Sequence, residues 1–127
     1  MITLRAMTHK KVKKISFNKY LIKIIVDGKV AGKLLAIADT KLDFHVLQVK
    51  LDKKFWIIEE IEIIPEFLGN GLGTELLAFA IKYLCSRQKL PLLVVPPKNE
   101  YTGKLINWYK RFGFIETQKG YLINLGE

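Results

Sequence analysis

Hydrophobic and polar positions follow two different rhythms along this chain, and the change comes at Pro65. Before it, short runs rich in β-branched residues predict strands. Tyr20–Val26 and Lys29–Ile37 flank Asp27-Gly28, a two-residue hairpin signal. His45–Leu51 alternates in part and predicts a further strand, and Phe55–Ile64 is a long apolar strand interrupted by Glu59, Glu60 and Glu62. Antiparallel pairing of these four is the economical arrangement. The first eighteen residues are less regular: a short strand is expected at Ile2–Met7, with the Lys-rich stretch after it left mobile. After Pro65, Leu72, Leu76, Leu77, Ala80, Ile81 and Leu84 recur at helical spacing, which predicts a helix ending near Gln88. Leu90–Val95 is a continuous apolar run stopped by Pro96-Pro97, as in a buried strand. A second helix is expected over Thr102–Phe112, with Gly113 as its stop, and a last strand over Tyr121–Leu125. The order β-β-β-β-α-β-α-β predicts a single α/β domain over residues 1–127 with one mixed sheet.

Composition narrows this picture. Half of the 127 residues are hydrophobic, enough to bury a core without disulfides or metals. No apolar run approaches the ~20 residues of a membrane span, and the N-terminus shows no secretory pattern, so a soluble cytoplasmic protein without a membrane partner is expected. The single cysteine, Cys85, sits in the first helix's apolar pattern and reads as a core thiol. His9 and His45 have no partners at ligand spacing, so no metal site is expected. The net charge of +9 lies entirely in residues 1–55, which hold thirteen basic residues against four acidic ones, while the remainder balances. That asymmetry is either a Lys-rich solvated surface or the footprint of an acidic partner.

The chemistry concentrates in Pro65-Glu66-Phe67-Leu68-Gly69-Asn70-Gly71-Leu72-Gly73-Thr74. Strand, glycine turn and helix start in that order form an anion cradle. Glycines let the backbone approach closely, and free N–H groups at the helix start point at the ligand, aided by the helix dipole. Roughly forty residues on stands Trp108-Tyr109-Lys110-Arg111-Phe112-Gly113-Phe114. These two segments resemble the signatures of the GNAT superfamily of N-acetyltransferases: the Arg/Gln-x-x-Gly-x-Gly/Ala pyrophosphate motif and the aromatic-Tyr-x-x-x-Gly-Phe segment of its last large helix. The resemblance covers residues 20–125.

It implies a mixed, mostly antiparallel sheet with flanking helices and splayed central strands. It implies acetyl-CoA as cosubstrate, its pantetheine arm lying between Phe55–Ile64 and Leu90–Val95 along the backbones of Ile61 and Ile63. The backbone N–H groups of Gly69, Asn70, Gly71, Leu72, Gly73 and Thr74 would hold the pyrophosphate. Tyr109 would protonate the leaving thiolate, and a backbone N–H, that of Ile63, would stabilise the oxyanion. Glu59, six places before the proline, is the first candidate for the base that deprotonates an amine acceptor, and Glu62 the second. Simple alternation places Glu59 on one face with Ile61 and Ile63, and Glu60 with Glu62 on the other, unless a bulge intervenes. Two departures stand out. Leu68 occupies the position of the motif's Arg or Gln, and where the family commonly carries an Asn seven residues before the Tyr this chain has Thr102, with Asn99 ten before Tyr109. The acceptor, small molecule or macromolecule, is not legible, nor is the choice between monomer and homodimer. The alternative reading is a non-catalytic CoA-binding or nucleic-acid-binding regulatory module that uses the basic N-terminal half.

Overall fold

A computed structural model describes residues 8–39, 55–117 and 121–124. Within them lie seven strands: β1 (Thr8–Ser16), β2 (Lys19–Val26), β3 (Lys29–Asp39), β4 (Phe55–Ile63), β5 (Leu92–Val94), β6 (Ile115–Glu116) and β7 (Leu122–Asn124). Two α-helices accompany them, α1 (Leu72–Arg87) and α2 (Thr102–Lys110). The strands form one sheet in the order β1-β2-β3-β4-β5-β7-β6. β1 to β4 run as an antiparallel meander, β4 and β5 pair in parallel across the α1 crossover, and β5, β7 and β6 close the sheet antiparallel. The mixed, mostly antiparallel α/β sheet implied by the sequence is present.

Local chemistry explains the elements. At the β2–β3 turn Asp27 and Gly28 both take positive φ, 48° and 81°, the pair of conformations that matches strand twist in a two-residue hairpin. α1 presents Leu72, Leu76, Leu77, Ala80 and Leu84 as a buried stripe against Ile22, Ile24, Leu34, Ala36, Trp56 and Ile58 of the sheet. Burying each leucine contributes roughly 1.5–3 kcal/mol, several times the spread of ordinary helix propensities. On the opposite face Phe55, Leu93 and Tyr121 form a smaller cluster with Ile57 and Ile123.

Three expectations are corrected. The Lys-rich segment is not a mobile stretch: Thr8–Ser16 is the sheet's edge strand, paired with β2 along its length. Its alternation is weak because Lys10 stands among the inward positions, where it meets Glu75 of α1 at 2.7 Å, while Lys11 and Lys13 point outward. The expected pairing is the second correction: β3 pairs directly with β4, and β1 to β4 make the four-strand meander, while the strands expected at Ile2–Met7 and His45–Leu51 lie outside the described residues. The third correction is to the faces of β4. Leu35 pairs with Glu60 but Ala36 pairs with Ile58, leaving Glu59 as the extra residue of a β-bulge. The bulge shifts the phase by one, so Ile61 and Ile63 join Trp56 and Ile58 on the core side. Glu59 does not share their face as simple alternation had placed it; it reaches Lys19 at 3.9 Å. β6 was not foreseen, and α2 ends at Lys110, two residues early, in the turn at Gly113, whose φ is 90°.

Candidate active site

β4 and β5 share only three pairs: Trp56 with Leu92, Ile57 with Leu93 and Ile58 with Val94. β5 then stops, two residues before Pro96-Pro97, and β4 bulges at Glu59 and runs on to Ile63, paired with β3 alone. From Glu59 to Ile63 the side of β4 toward β5 has no strand partner among the described residues. The two strands therefore splay, and an open backbone ladder faces the gap. An extended ligand can add to such a ladder as a strand would.

The gap opens into a cleft of about 610 Å³. Ile61 and Ile63 form its β4 wall, Leu68 and Gly73 its end, and Tyr101, Lys104, Leu105, Trp108 and Arg111 of the α2 region its far side. It continues through Ile63, Leu68, Gly73 and Trp108 into a hollow of about 220 Å³ over the glycine turn, bordered also by Gly69, Gly71, Leu72 and Thr74.

The turn leaves its backbone open. Gly69 and Gly71 sit at φ 84° and 73°, and an added Cβ at either would meet nothing within 4 Å, so their backbone is open to a ligand. Gly71 precedes Leu72 as the cap residue of α1 without a side-chain cap, and the first intrahelical bond shown at this end runs from the Glu75 N–H to the Gly71 carbonyl at 3.1 Å. The N–H groups of the first turn, Leu72 to Thr74 among them, are the ones a helix leaves without intrahelical acceptors. Asn70 braces the loop, its side-chain N–H₂ donating to the Phe67 carbonyl at 3.2 Å. From the other side the Trp108 indole N–H donates to the Thr74 hydroxyl at 3.1 Å, fixing α2 against the turn.

The structure thus brings together Ile61, Ile63, Leu68, Gly69, Gly71, Leu72, Gly73 and Thr74. It does not bring Tyr109, Glu59 or Glu62 into the cleft lining. Tyr109 lies in the core behind Trp108, 4% exposed, with ring centroids 5.0 Å from Trp108 and 5.5 Å from Phe114. Burial pushes its phenol up to about 12, so it stays protonated through the neutral range. Glu62 borders a separate pocket of about 280 Å³ with Val30, Gly32, Lys33 and Ile64, and Lys33 pairs with Glu60 and Glu62 at 3.7 and 3.9 Å. Thr102, in the place of the motif's Asn, is engaged in the turn before α2: its hydroxyl lies 2.6 Å from the Pro97 carbonyl and accepts from the Asn99 N–H at 2.8 Å. Cys85 is partly buried, and desolvation raises its thiol pKa, as expected for a core thiol.

Sequence reasoning missed Lys104, Trp108 and Arg111 as cleft residues, because the apolar positions of α2 had drawn attention to its core face. The spacing of 104, 108 and 111 was the available signal, since it sets one stripe along a helix. No group of three or more metal-ligating side chains occurs among the described residues, and no helix there is long and apolar enough to cross a membrane.

Comparison with known proteins agrees with this geometry. The family model described as "Acetyltransferase (GNAT) family" matches residues 5–114. No protein of curated function matches the sequence. Among solved structures, the GNAT-family N-acetyltransferase YhbS from Escherichia coli, in complex with CoA, is similar with a TM-score of 0.69 at 12% identity, over 98% of this chain and 84% of that one. A GNAT-family protein from Desulfovibrio desulfuricans gives 0.63 at 16% identity, over 84% of this chain and 67% of that one. Naa50 of Arabidopsis thaliana, in complex with the bisubstrate analogue CoA-Ac-MVNAL, gives 0.59 at 16% identity, over 81% and 69%.

Proposed function

Since this chain belongs to the GNAT family of acetyltransferases, we propose that it is an N-acetyltransferase that moves the acetyl group of acetyl-CoA directly to an amine. The observation that carries the reading is the splay of β4 from β5 running into the glycine turn at the start of α1. An extended arm fits the open side of β4, and a pyrophosphate fits the free N–H groups of residues 69–74.

In this reading the amine nitrogen attacks the thioester carbonyl, the carbon–sulfur bond breaks, and the thiolate leaves with a proton. A backbone N–H of β4, that of Ile63, stabilises the oxyanion. Tyr109 is the candidate general acid for that proton: burial keeps its phenol protonated, although the ring lies behind Trp108 and outside the cleft lining. Glu59, displaced by the bulge, is the first candidate for the base that takes a proton from the amine, and Glu62 the second. The acceptor approaches from the basic half of the molecule, so an amine carried on an acidic or anionic partner is favoured over a small polycation.

The test is free-thiol release from acetyl-CoA with amines, polyamines, peptides and aminoacylated RNA as acceptors. Acceptor-dependent release is expected, while no release with any acceptor would leave a CoA-binding protein without transferase activity. A second reading, a nucleic-acid-binding module, is favoured by one observation. Lys11 stands opposite Lys23, and Lys23 opposite Lys33, across three adjacent strands, and of the three only Lys33 has a described ion pair, with Glu60 and Glu62. Like charges directly opposite are unfavourable without a counter-ion. That reading requires salt-dependent RNA or DNA binding in the absence of acetyl transfer.

A further inference from the structure

Leu68 stands where the family's motif has a side chain that wraps the pyrophosphate, and it is 62% exposed at the end of the cleft with no charge to offer an anion. Across the same cleft stand two cations, Lys104 of α2 and Arg111 just past its end. The ion pairs described elsewhere join Lys10 with Glu75, Lys19 with Glu59, Lys33 with Glu60 and Glu62, and Lys110, next to Arg111, with Glu116, while surface lysines such as Lys11, Lys13 and Lys23 show none among the described residues. Lys104 and Arg111 form no ion pair among the described residues. They lie seven positions apart, a separation of roughly 10 Å along a helix axis, and Trp108 between them is tied to Thr74 of the glycine turn. Two cations at that spacing, in a cleft whose other described walls are mostly apolar and carry no further charge, suit a ligand with two separated phosphate centres. The nucleotide end of CoA, with its pyrophosphate and its ribose phosphate, is such a ligand.

We propose that Lys104 and Arg111 clamp the phosphates of the CoA nucleotide from α2, supplying the charge that Leu68 withholds. The clamp rests on the acetyl-CoA reading above. Arg111 offers a fork that meets phosphate oxygens in pairs, while Lys104 acts as a mobile point charge. Neither side chain holds the fold through an ion pair, so each can be neutralised in a folded protein.

Calorimetric titration of the full chain with acetyl-CoA, dephospho-CoA (which lacks the ribose phosphate) and S-acetylpantetheine (which lacks the nucleotide) tests the clamp. Lys104→Gln and Arg111→Gln are each expected to weaken acetyl-CoA about tenfold or more, as loss of a charge-assisted hydrogen bond does. One of the two penalties disappears with dephospho-CoA, both disappear with S-acetylpantetheine, and Leu68→Arg added to Arg111→Gln recovers affinity. Unchanged acetyl-CoA affinity in both variants, or penalties that persist with S-acetylpantetheine, would overturn the clamp and leave the acetyl-CoA reading standing. Failure of the folded wild-type chain to bind acetyl-CoA overturns both.

Discussion

Gly71 and Tyr109 are the single residues at which the two halves of the proposed chemistry can be tested most directly. At Gly71 the demand is conformational, because φ is 73° while the space around an added Cβ is empty. A β-branched side chain there costs about 1–2 kcal/mol of left-handed strain, and it also stands in the path of the proposed phosphate. Gly71→Val is therefore expected to remain folded with lowered stability and to lose acetyl-CoA binding by calorimetry; intact affinity in a folded variant would remove the turn from the site. Tyr109 makes a prediction about pH as well as rate. Its folded pKa of about 12 lies above the ordinary value near 10, so its stabilising contribution is complete below pH ~10 and lost as pH rises through ~12, about 2–3 kcal/mol in all. Tyr109→Phe cannot lose a proton, so its urea midpoint is expected to fall less than wild type over that range. At neutral pH the same variant keeps its fold and, if the phenol is the acid, turns over roughly 100-fold more slowly. Equal turnover would make Tyr109 a packing residue, in keeping with its place behind Trp108.

At the scale of elements, legibility followed the strength of the pattern. α1 and the Asp27-Gly28 hairpin were plain because a leucine stripe and a positive-φ turn leave unmistakable residues behind. β1 was not, because an edge strand needs no apolar outer face and is protected by lysines that read as solvated loop. The bulge left one trace, the adjacent Glu59 and Glu60, where the alternation of β4 changes phase. That trace could not be weighed without knowing the register on β3. The glycine turn was fully legible, whereas the α2 wall of the cleft left only the 104, 108 and 111 stripe, which does not say what that face meets. One prediction belongs to the β3–β4 pair. Gly32 faces Ile63, and a Cβ on it would fall 2.5 Å from Ile63 Cδ1 and 2.7 Å from the Glu62 carbonyl. Gly32→Ala is expected to cost about 1–3 kcal/mol by overpacking, read from a denaturant midpoint. It also pushes Ile63 toward the cleft and weakens acetyl-CoA. A variant as stable as wild type would mean that β3 and β4 part here at little cost.

For the molecule as a whole, three β4–β5 pairs join the antiparallel meander of β1–β4 to the later β5–β7–β6 portion of the sheet. Amide hydrogen exchange reads that joint directly. Acetyl-CoA is expected to slow exchange at Glu59–Ile63 and at the first turn of α1, leaving the β1–β2 hairpin unchanged. Slowing confined to other segments would place the ligand elsewhere. The same geometry has a consequence for the protein without its ligand. A sheet normally has two edges, and here the outer one on β1 is guarded by Lys10, Lys11, Lys13 and Lys14. The splay creates a further edge in the middle of the molecule, where β4 carries Ile61 and Ile63 beside unpaired backbone. Exposed edges of that kind recruit foreign strands and seed aggregation. If a strand-like cosubstrate fills the gap as proposed, acetyl-CoA is expected to slow aggregation of the resting protein by light scattering, and unchanged aggregation would mean that it does not cover this edge.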